Sequence, residues 1–454
     1  MLPRLALTPP KGDFVLYAES EASKKALLDQ KSKSDTSDRG NPSFPKLRDD
    51  CTSIQVFVPK QMVDLTLITL GRQGKLRIDH SEVADIQCSL EIHRLTGEIL
   101  LYDRSENAST KLFGPTATRF QGPLRRVVVN NMTNLHFGFG GSNGDLFKWL
   151  ILWTNTPPFP LRNGVPRGPT GVLPRTIWEL PEGFVPSLTL HEMSSHQAMS
   201  VIERRHIGFG PASRVFEALD LGSGGYVAVK ELSLSARPDA FRSDFAQLVR
   251  LFGQRSHRHI VEFIGAQIDN TKLQIITTLK AGNINDLCGY FREDYDRVIP
   301  LLRQILQALE YLASLGFGHG EVCPENILYT KLPEGSYQYQ LSGFNSILTR
   351  SSAAARSWHR APEVLNNPRR RNRTHKSDIW SLFATIVFAL DFKSILGVFE
   401  LPTFIGVPQA IQERAAQLSN HIRATALRGI SFQDMAELSP DDRPTAAELL
   451  RRLS

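Results

Sequence analysis

Residues 297–328 read RVIPLLRQILQALEYLASLGFGHGEVCPENIL, and this stretch decides how the C-terminal half of the chain is built. Its first twenty residues repeat apolar side chains at helical spacing, which predicts an amphipathic helix with one face in a core. Upstream, from about Ser194, the texture is a strand, a glycine loop and more strands; downstream it is helical. A small β-rich lobe followed by a helical lobe is the expected build. The most apolar run, Ile379 to Leu390, is about half the length that a bilayer span needs and ends at Asp391 and Lys393, so it reads as a buried core helix.

The glycine loop runs Ile207-Gly208-Phe209-Gly210-Pro211-Ala212-Ser213-Arg214-Val215 and fits G-x-G-x-x-G-x-V except at Ser213. Glycines so placed let backbone approach phosphates closely, and a hairpin turn needing positive φ is the alternative reading. Beyond it lies Val227-Ala228-Val229-Lys230, a strand with an interior lysine. Then SHRHIVEF (256–263), the HGEVCPEN run (319–326), APEVL (361–365), SDIWSL (377–382) and DDRPTAAELL (441–450) follow in order. Together these motifs resemble the protein kinase family over roughly residues 200 to 454. The resemblance implies an α+β bilobal kinase fold with a nucleotide cleft. In that cleft Ile207, Gly208, Gly210, Val215, Ala228, Lys230 and Asn326 would meet ATP.

Departures from the family pattern concentrate where phosphate is transferred. The H-R-D-x-x-x-x-N loop is here His319-Gly320-Glu321-Val322-Cys323-Pro324-Glu325-Asn326, with Glu321 in the base position. An extra methylene moves the carboxylate by about 1 Å, and a misplacement of that size can cost about 10²-fold. Gly320 and Cys323 replace an arginine and a lysine; Asn326, which resembles a metal ligand, stays. Cys323 reads as a small replacement residue. The metal-binding D-F-G is Gly343-Phe344-Asn345, so the carboxylate that anchors Mg²⁺ in the family is missing. Losing about 4 kcal/mol of metal stabilisation is roughly a thousandfold. The partner position for Lys230 falls on Leu248 or Gln247, with Asp244 about a turn away. By contrast Glu363, Arg443 and Asp378 resemble the family's architectural ion pair and loop brace.

The N-terminal half has another texture. Residues 1–50 are expected to form a flexible arm, rich in Lys, Ser, Asp and Pro from about Ser20. Over 51–154 the runs IQVFV, LTLITL, IQCSLEI, EILLYD, RRVVVNN and FKWLILW, separated by turn signals, predict a β-sandwich. A Pro/Gly-rich linker is expected at 155–193, and the glycine cluster Gly138 to Gly144 reads as a plain hairpin. Gly71-Arg72, IQCSLEI and LYDRSENAST resemble landmarks of forkhead-associated (FHA) domains, whose arginine, serine and asparagine grip phosphothreonine peptides. Arg72 and Asn107 match. Ile86, Gln87 and Ser89 stand in place of that family's serine, arginine and histidine.

Composition narrows the class. The 454 residues are 41% apolar and 22% charged, which excludes a wholly disordered or collagen-like chain. Net charge is only +7, so nucleic acid is not an expected partner, and no stretch predicts a membrane span. One basic cluster, Pro368 to Lys376, reads as a solvated loop, a nuclear-import signal or a patch for acidic partners. Four separated cysteines point to a reducing, intracellular site, cytoplasmic or nuclear. The expectation is a multidomain protein, an FHA-like sandwich joined to a kinase fold at 194–454. Two functions fit it: a pseudokinase acting as signalling scaffold or nucleotide-dependent regulator, or a low-activity Ser/Thr kinase with phosphopeptide recruitment. ATP is an expected ligand in both, and protein partners, phosphothreonine-bearing ones included, are expected of the sandwich.

Overall fold

The computed structural model describes residues 14–34, 46–47, 52–57, 65–93, 96–120, 124–130, 132–153, 200–210, 213–233, 257–268, 272–343, 359–366, 374–390 and 432–453. The chain divides into two compact units: Met1–Thr189 with Met193–Arg205 and Glu217–Val227, and the remainder to Ser454.

The first unit is a sandwich of two sheets. Its strands are β1 (Phe14–Ala18), β2 (Lys46–Leu47), β3 (Ser53–Val56), β4 (Thr66–Gly71), β5 (Leu76–Arg77), β6 (Cys88–Ile92), β7 (Ile99–Asp103), β8 (Lys111–Phe113), β9 (Arg126–Val129), β10 (His136–Phe139) and β11 (Phe147–Trp153). One sheet runs β2-β3-β1-β11-β10-β8 and the other β5-β4-β6-β7-β9. Period-two alternation sends Phe14, Leu16, Leu70, Leu90, Leu101, Val127, Phe137 and Trp149 into one shared core.

Over the described residues 14–34 the expected N-terminal arm is corrected. β1 is an interior strand, antiparallel to β11 from Phe14↔Trp153 to Ala18↔Trp149 and to β3 on its other edge. Helix α1 (Glu21–Ser34) follows, buries Ala26 and Leu27, and is capped by Ser20, whose Oγ accepts from the Ser23 N–H at 3.2 Å. Averaging over a polar window hid five apolar strand residues and a narrow apolar stripe.

The sheet face turned away from that core is also dry. Leu100, Tyr102 and Val128 project there and are covered by Leu219 and Leu221, with Ile202 and Tyr226 beside them. The free edge of β9 is taken as well: the Val128 N–H donates to Leu221 O at 2.7 Å. Thr96 Oγ1 donates to Gly224 O at 2.7 Å, and Arg204 pairs with Glu98 at 3.0 Å. A Cβ at Gly224 (φ +74°) would lie 2.8 Å from Leu100 Cδ2, so the turn closes this tightly only with glycine. Residues 201–205 and 217–227 therefore count with the sandwich, and the expected boundary at 194 does not separate the compact units.

A further sheet is formed by β12 (Val201–Gly210), β13 (Ser213–Asp220), β14 (Tyr226–Ser233), β15 (Phe263–Ile268) and β16 (Lys272–Thr278), in the order β12-β13-β14-β16-β15. A second, small sheet joins β17 (Gly282–Asn283), β18 (Ile327–Lys331) and β19 (Tyr337–Leu341). The helices are α2 (Cys288–Glu293), α3 (Val298–Ser314), α4 (Pro362–Asn366), α5 (His375–Leu390), α6 (Phe432–Met435) and α7 (Ala446–Leu453). α3 buries Leu301, Leu302, Ile305, Leu306, Leu309 and Leu312 against α5, which is buried on all sides from Ser377 onward. Among the described residues no helix is long and apolar enough to cross a membrane.

Candidate active site

The loop from His319 to Asn326 leaves α3 and runs into β18. Its backbone is held from below by Asp378 of α5, which is buried: Oδ2 accepts the His319 N–H and Oδ1 the Gly320 N–H, both at 2.7 Å. A carboxylate receiving two backbone N–H groups fixes both position and direction of the loop. His319 is held next. Its Nδ1 accepts from the Glu321 N–H at 3.2 Å and its Nε2 donates to Ser342 O at 2.9 Å, a pattern only the neutral imidazole satisfies. Burial agrees, pushing its pKa down to about 4.

Lys230 lies on β14 and is partly buried. Burial lowers its pKa, while the nearby negative charge of Glu321, and of Cys323 were it ionised, would oppose that shift. Among the described residues no carboxylate lies within ion-pairing distance of Lys230. Its neighbour Glu231 points the other way and is held by Arg214 at 2.8 Å, Gln274 at 2.8 Å and Lys272 at 3.1 Å, which pulls its pKa to about 2. Leu248, Gln247 and Asp244 lie outside the described residues. Ala228 is buried beside Lys230; Val215 faces Gly208, where an added Cβ would meet it at 3.6 Å, an ordinary contact. Packing at 208 therefore does not itself demand glycine. Ile207 and Phe209 are exposed, and Gly210 ends β12.

Asn326 and Gly343 meet. The Asn326 Nδ2 donates to Glu321 O at 2.8 Å, and Asn326 O accepts from Ser342 N at 2.8 Å and Ser342 Oγ at 3.1 Å. Gly343, in the position of the family's metal-binding aspartate, has φ +90°, and a Cβ there would overlap Cγ and Oδ1 of Asn326. Phe344 and Asn345 lie outside the described residues. Cys323 is buried, and burial raises its thiol pKa well above the usual value, so it is not a reactive thiolate.

Sequence reasoning missed a bracket beside this loop. Val261 N donates to Leu341 O and Leu341 N to His259 O, both at 2.9 Å, while Gln340 Nε2 reaches Arg258 O, Ile260 O and Glu262 Oε1. The SHRHIVEF run was the signal. Away from the cleft, Glu363 and buried Arg443 form a two-pronged pair at 2.8 Å, and Arg443 also donates to the carbonyls of Glu437, Lys376 and Leu438. Pro368 to Arg373 lie outside the described residues; Lys376 donates to Asp441 O.

Comparison with known proteins follows the same outline. Residues 201–452 match the protein kinase domain family, more than half of the chain. The chain belongs to the protein kinase family. It is 30% identical over 262 residues to mitogen-activated protein kinase kinase kinase 3 of Arabidopsis thaliana, covering 54% of this chain and 44% of that protein. It is 29% identical to mitogen-activated protein kinase kinase kinase 1 of the same plant (54% and 40%), and 27% to the serine/threonine-protein kinase STE20 of Eremothecium gossypii (54% and 25%). The chain thus spans less than half the length of these relatives.

Typical kinases of the family use ATP with Mg²⁺. The residues present here do not fit the metal. Position 343 offers no side chain, Asn326 has only an uncharged amide oxygen to offer, its Nδ2 being bound to Glu321 O, and among the described residues no three His, Cys, Asp or Glu converge. For an anion the fit is better, because Lys230 is a half-buried cationic side chain that, among those residues, feels the charge of Glu321 but has no carboxylate in ion-pairing distance.

At the sandwich, Arg72 is half-exposed and paired with Asp85 at 2.9 Å. Gln87 and Ser89 are fully buried: Gln87 donates to Ser109 Oγ and Thr110 Oγ1, and Ser89 donates to Glu91 Oε1. Both are framework residues. Ile86 precedes β6, and Asn107 is exposed in the turn before Ala108, whose φ is +52°.

Proposed function

We propose that the chain is a pseudokinase, a kinase-family protein that works as a signalling scaffold or nucleotide-dependent regulator rather than by transferring phosphate. The observation that carries this reading is Gly343. A residue with no side chain stands where the metal carboxylate belongs, with φ +90° and with the Asn326 side chain in the space that a Cβ would take. Glu321 in the base position and the uncharged Gly320 and Cys323 thin the electrostatics further.

If the base and metal defects were independent, they would multiply to about 10⁵, leaving a typical turnover of about 1 to 100 per second near 10⁻⁵ to 10⁻³. The architecture that holds the lobe, Asp378, Glu363 and Arg443, is kept, as a binding role requires. The sandwich supplies a protein-docking module. Its FHA-like character is supported by the two-sheet build and by the positive φ at Ala108, where that family's S-x-N-G-T has glycine. The relatives' names favour a place in protein-kinase signalling.

A second reading, a slow Ser/Thr kinase with Glu321 as base, is favoured by the Glu321 charge acting on Lys230. Radiolabelled γ-phosphate transfer to the protein itself and to generic substrates separates the two. No transfer above background is expected. Transfer lost in both Lys230→Met and Glu321→Gln would establish the second reading and overturn the first.

A further inference from the structure

We infer that the sandwich is the seat of the glycine loop: Thr96, Glu98, Leu100 and Val128 are positioning residues that grip the roots of β12, β13 and β14, so that the order of residues 206–216 and of Lys230 is set by the state of the sandwich face. This goes beyond the pseudokinase reading and holds whether or not phosphate is transferred.

Three observations carry it. First, each of the three strands is gripped at the same end. On β12, Ile202 packs against the cluster of Leu100, Tyr102 and Val128, and Arg204 pairs with Glu98 at 3.0 Å. On β13, Leu219 is buried in that cluster; just past the strand, Leu221 is buried there too, and its carbonyl accepts the Val128 N–H at 2.7 Å. On β14, Tyr226 packs beside them, and Gly224 O, in the turn just before it, accepts the Thr96 hydroxyl at 2.7 Å. Second, the turn between β13 and β14 is braced from within, so it passes movement on instead of absorbing it. The buried Asp220 carboxylate accepts the Gly222 N–H at 3.1 Å and the Ser223 N–H at 3.0 Å, while the Asp220 N–H donates to Gly225 O at 3.0 Å and its carbonyl accepts from Gly224 N at 2.8 Å. Third, the far end holds little of its own. Beyond Phe216, no described residue of 206–215 is buried, and Phe209 is 78% exposed. A segment with so few buried contacts opens at low cost unless its base is fixed. Gly208, Val215 and Lys230 each lie four residues from a gripped one, Arg204, Leu219 and Tyr226, or about 13 Å along a strand. The strands are bonded neighbours in the order β12-β13-β14, so they tilt together. A protein that docks on the sandwich and tightens or loosens this seat changes the cost of ordering the loop round a nucleotide, and the loop returns the same coupling to the docked protein.

Hydrogen exchange of the full chain without nucleotide, read peptide by peptide by mass spectrometry, tests this. Leu100→Ala removes packing at the seat and should speed exchange over 206–216 and 228–230 at least about tenfold. Thr96→Val keeps the side-chain volume, removes the bond to Gly224 O and should speed exchange there at least about threefold. Leu16→Ala is the control: it removes a fully buried leucine from the core between the two sheets, not from the seat, and should leave 206–216 within about twofold of the parent although it weakens the sandwich. Should Leu100→Ala fail to fold, Thr96→Val set against Leu16→Ala decides alone. A rise of less than about threefold over 206–216 in either folded seat variant, or a rise in Leu16→Ala as large as in the seat variants, would overturn the inference. Neither result bears on phosphate transfer, so the pseudokinase reading is judged by the transfer assay alone.

Discussion

Replacing Asp378 by asparagine changes one atom's chemistry and almost no volume, which makes it a sharp probe of how the catalytic-type loop is held. The carboxylate now accepts two backbone N–H groups, from His319 and Gly320, each at 2.7 Å. An amide offers one acceptor and one donor, so in either orientation one of these N–H groups faces an NH₂. The lost charge-assisted bond is worth roughly 1.5–3 kcal/mol, and leaving a buried N–H unsatisfied costs roughly 1–3 kcal/mol more. Together they come to about 2.5–6 kcal/mol. For a folded body of this size each kcal/mol moves the melting temperature by about 2–4 °C, so Asp378→Asn should melt at least about 5 °C below the parent in calorimetry. Hydrogen exchange at the His319 and Gly320 amides should rise with it. A variant melting within 2 °C of the parent, with both amides still protected, would refute the claim that Asp378 organises this loop.

Glu363→Ala should cost about 3–5 kcal/mol in urea unfolding, since the Arg443 charge would stay buried with only carbonyls for company; the Glu363→Ala, Arg443→Leu double variant should recover part of it. A double variant as unstable as the sum of the singles would argue that the pair is not the unit. Because the pKa of His319 is held near 4 in the folded state against about 6.5 unfolded, the unfolded chain binds the extra proton between those values. Its contribution is complete above pH 6.5 and is lost as pH falls: about 2 kcal/mol less stability at pH 5 than at pH 7.5, a slope that His319→Gln should flatten. Leu219→Ala should destabilise the first unit by about 2–4 kcal/mol, measured as a shift in the unfolding transition that sandwich tryptophan fluorescence reports. Micromolar binding of a phosphothreonine peptide, abolished by Arg72→Ala, would contradict the expectation that the Asp85 pair leaves Arg72 a poor phosphate ligand.

What could be read in the sequence were the features written in local chemistry. The six apolar runs from 51 to 153 became β3, β4, β6, β7, β9 and β11, because alternation and turn residues are short-range signals. The 297–316 periodicity became α3 for the same reason. β1 was missed since FVLYA sits before a Lys- and Ser-rich helix that lowers any window average, and its stability comes from two neighbours 36 or more residues away. At the cleft, residue identities announced the missing carboxylate, but the contact of the Asn326 side chain with Gly343 did not show, since it joins two segments distant in sequence. The run EILLYD was legible in hindsight: Leu100 and Leu101 side by side mean that both faces of the strand are dry.

That doubly covered strand has a consequence for where this protein can be cut. The family match begins at Val201, yet the leucines at 219 and 221 fill a hydrophobic interior whose other wall is Leu100 and Val128. A fragment started at that border would lay bare greasy surface on both pieces and free the edge of β9 to recruit a strange strand. Homology draws its frontier through the middle of a body that physics treats as whole.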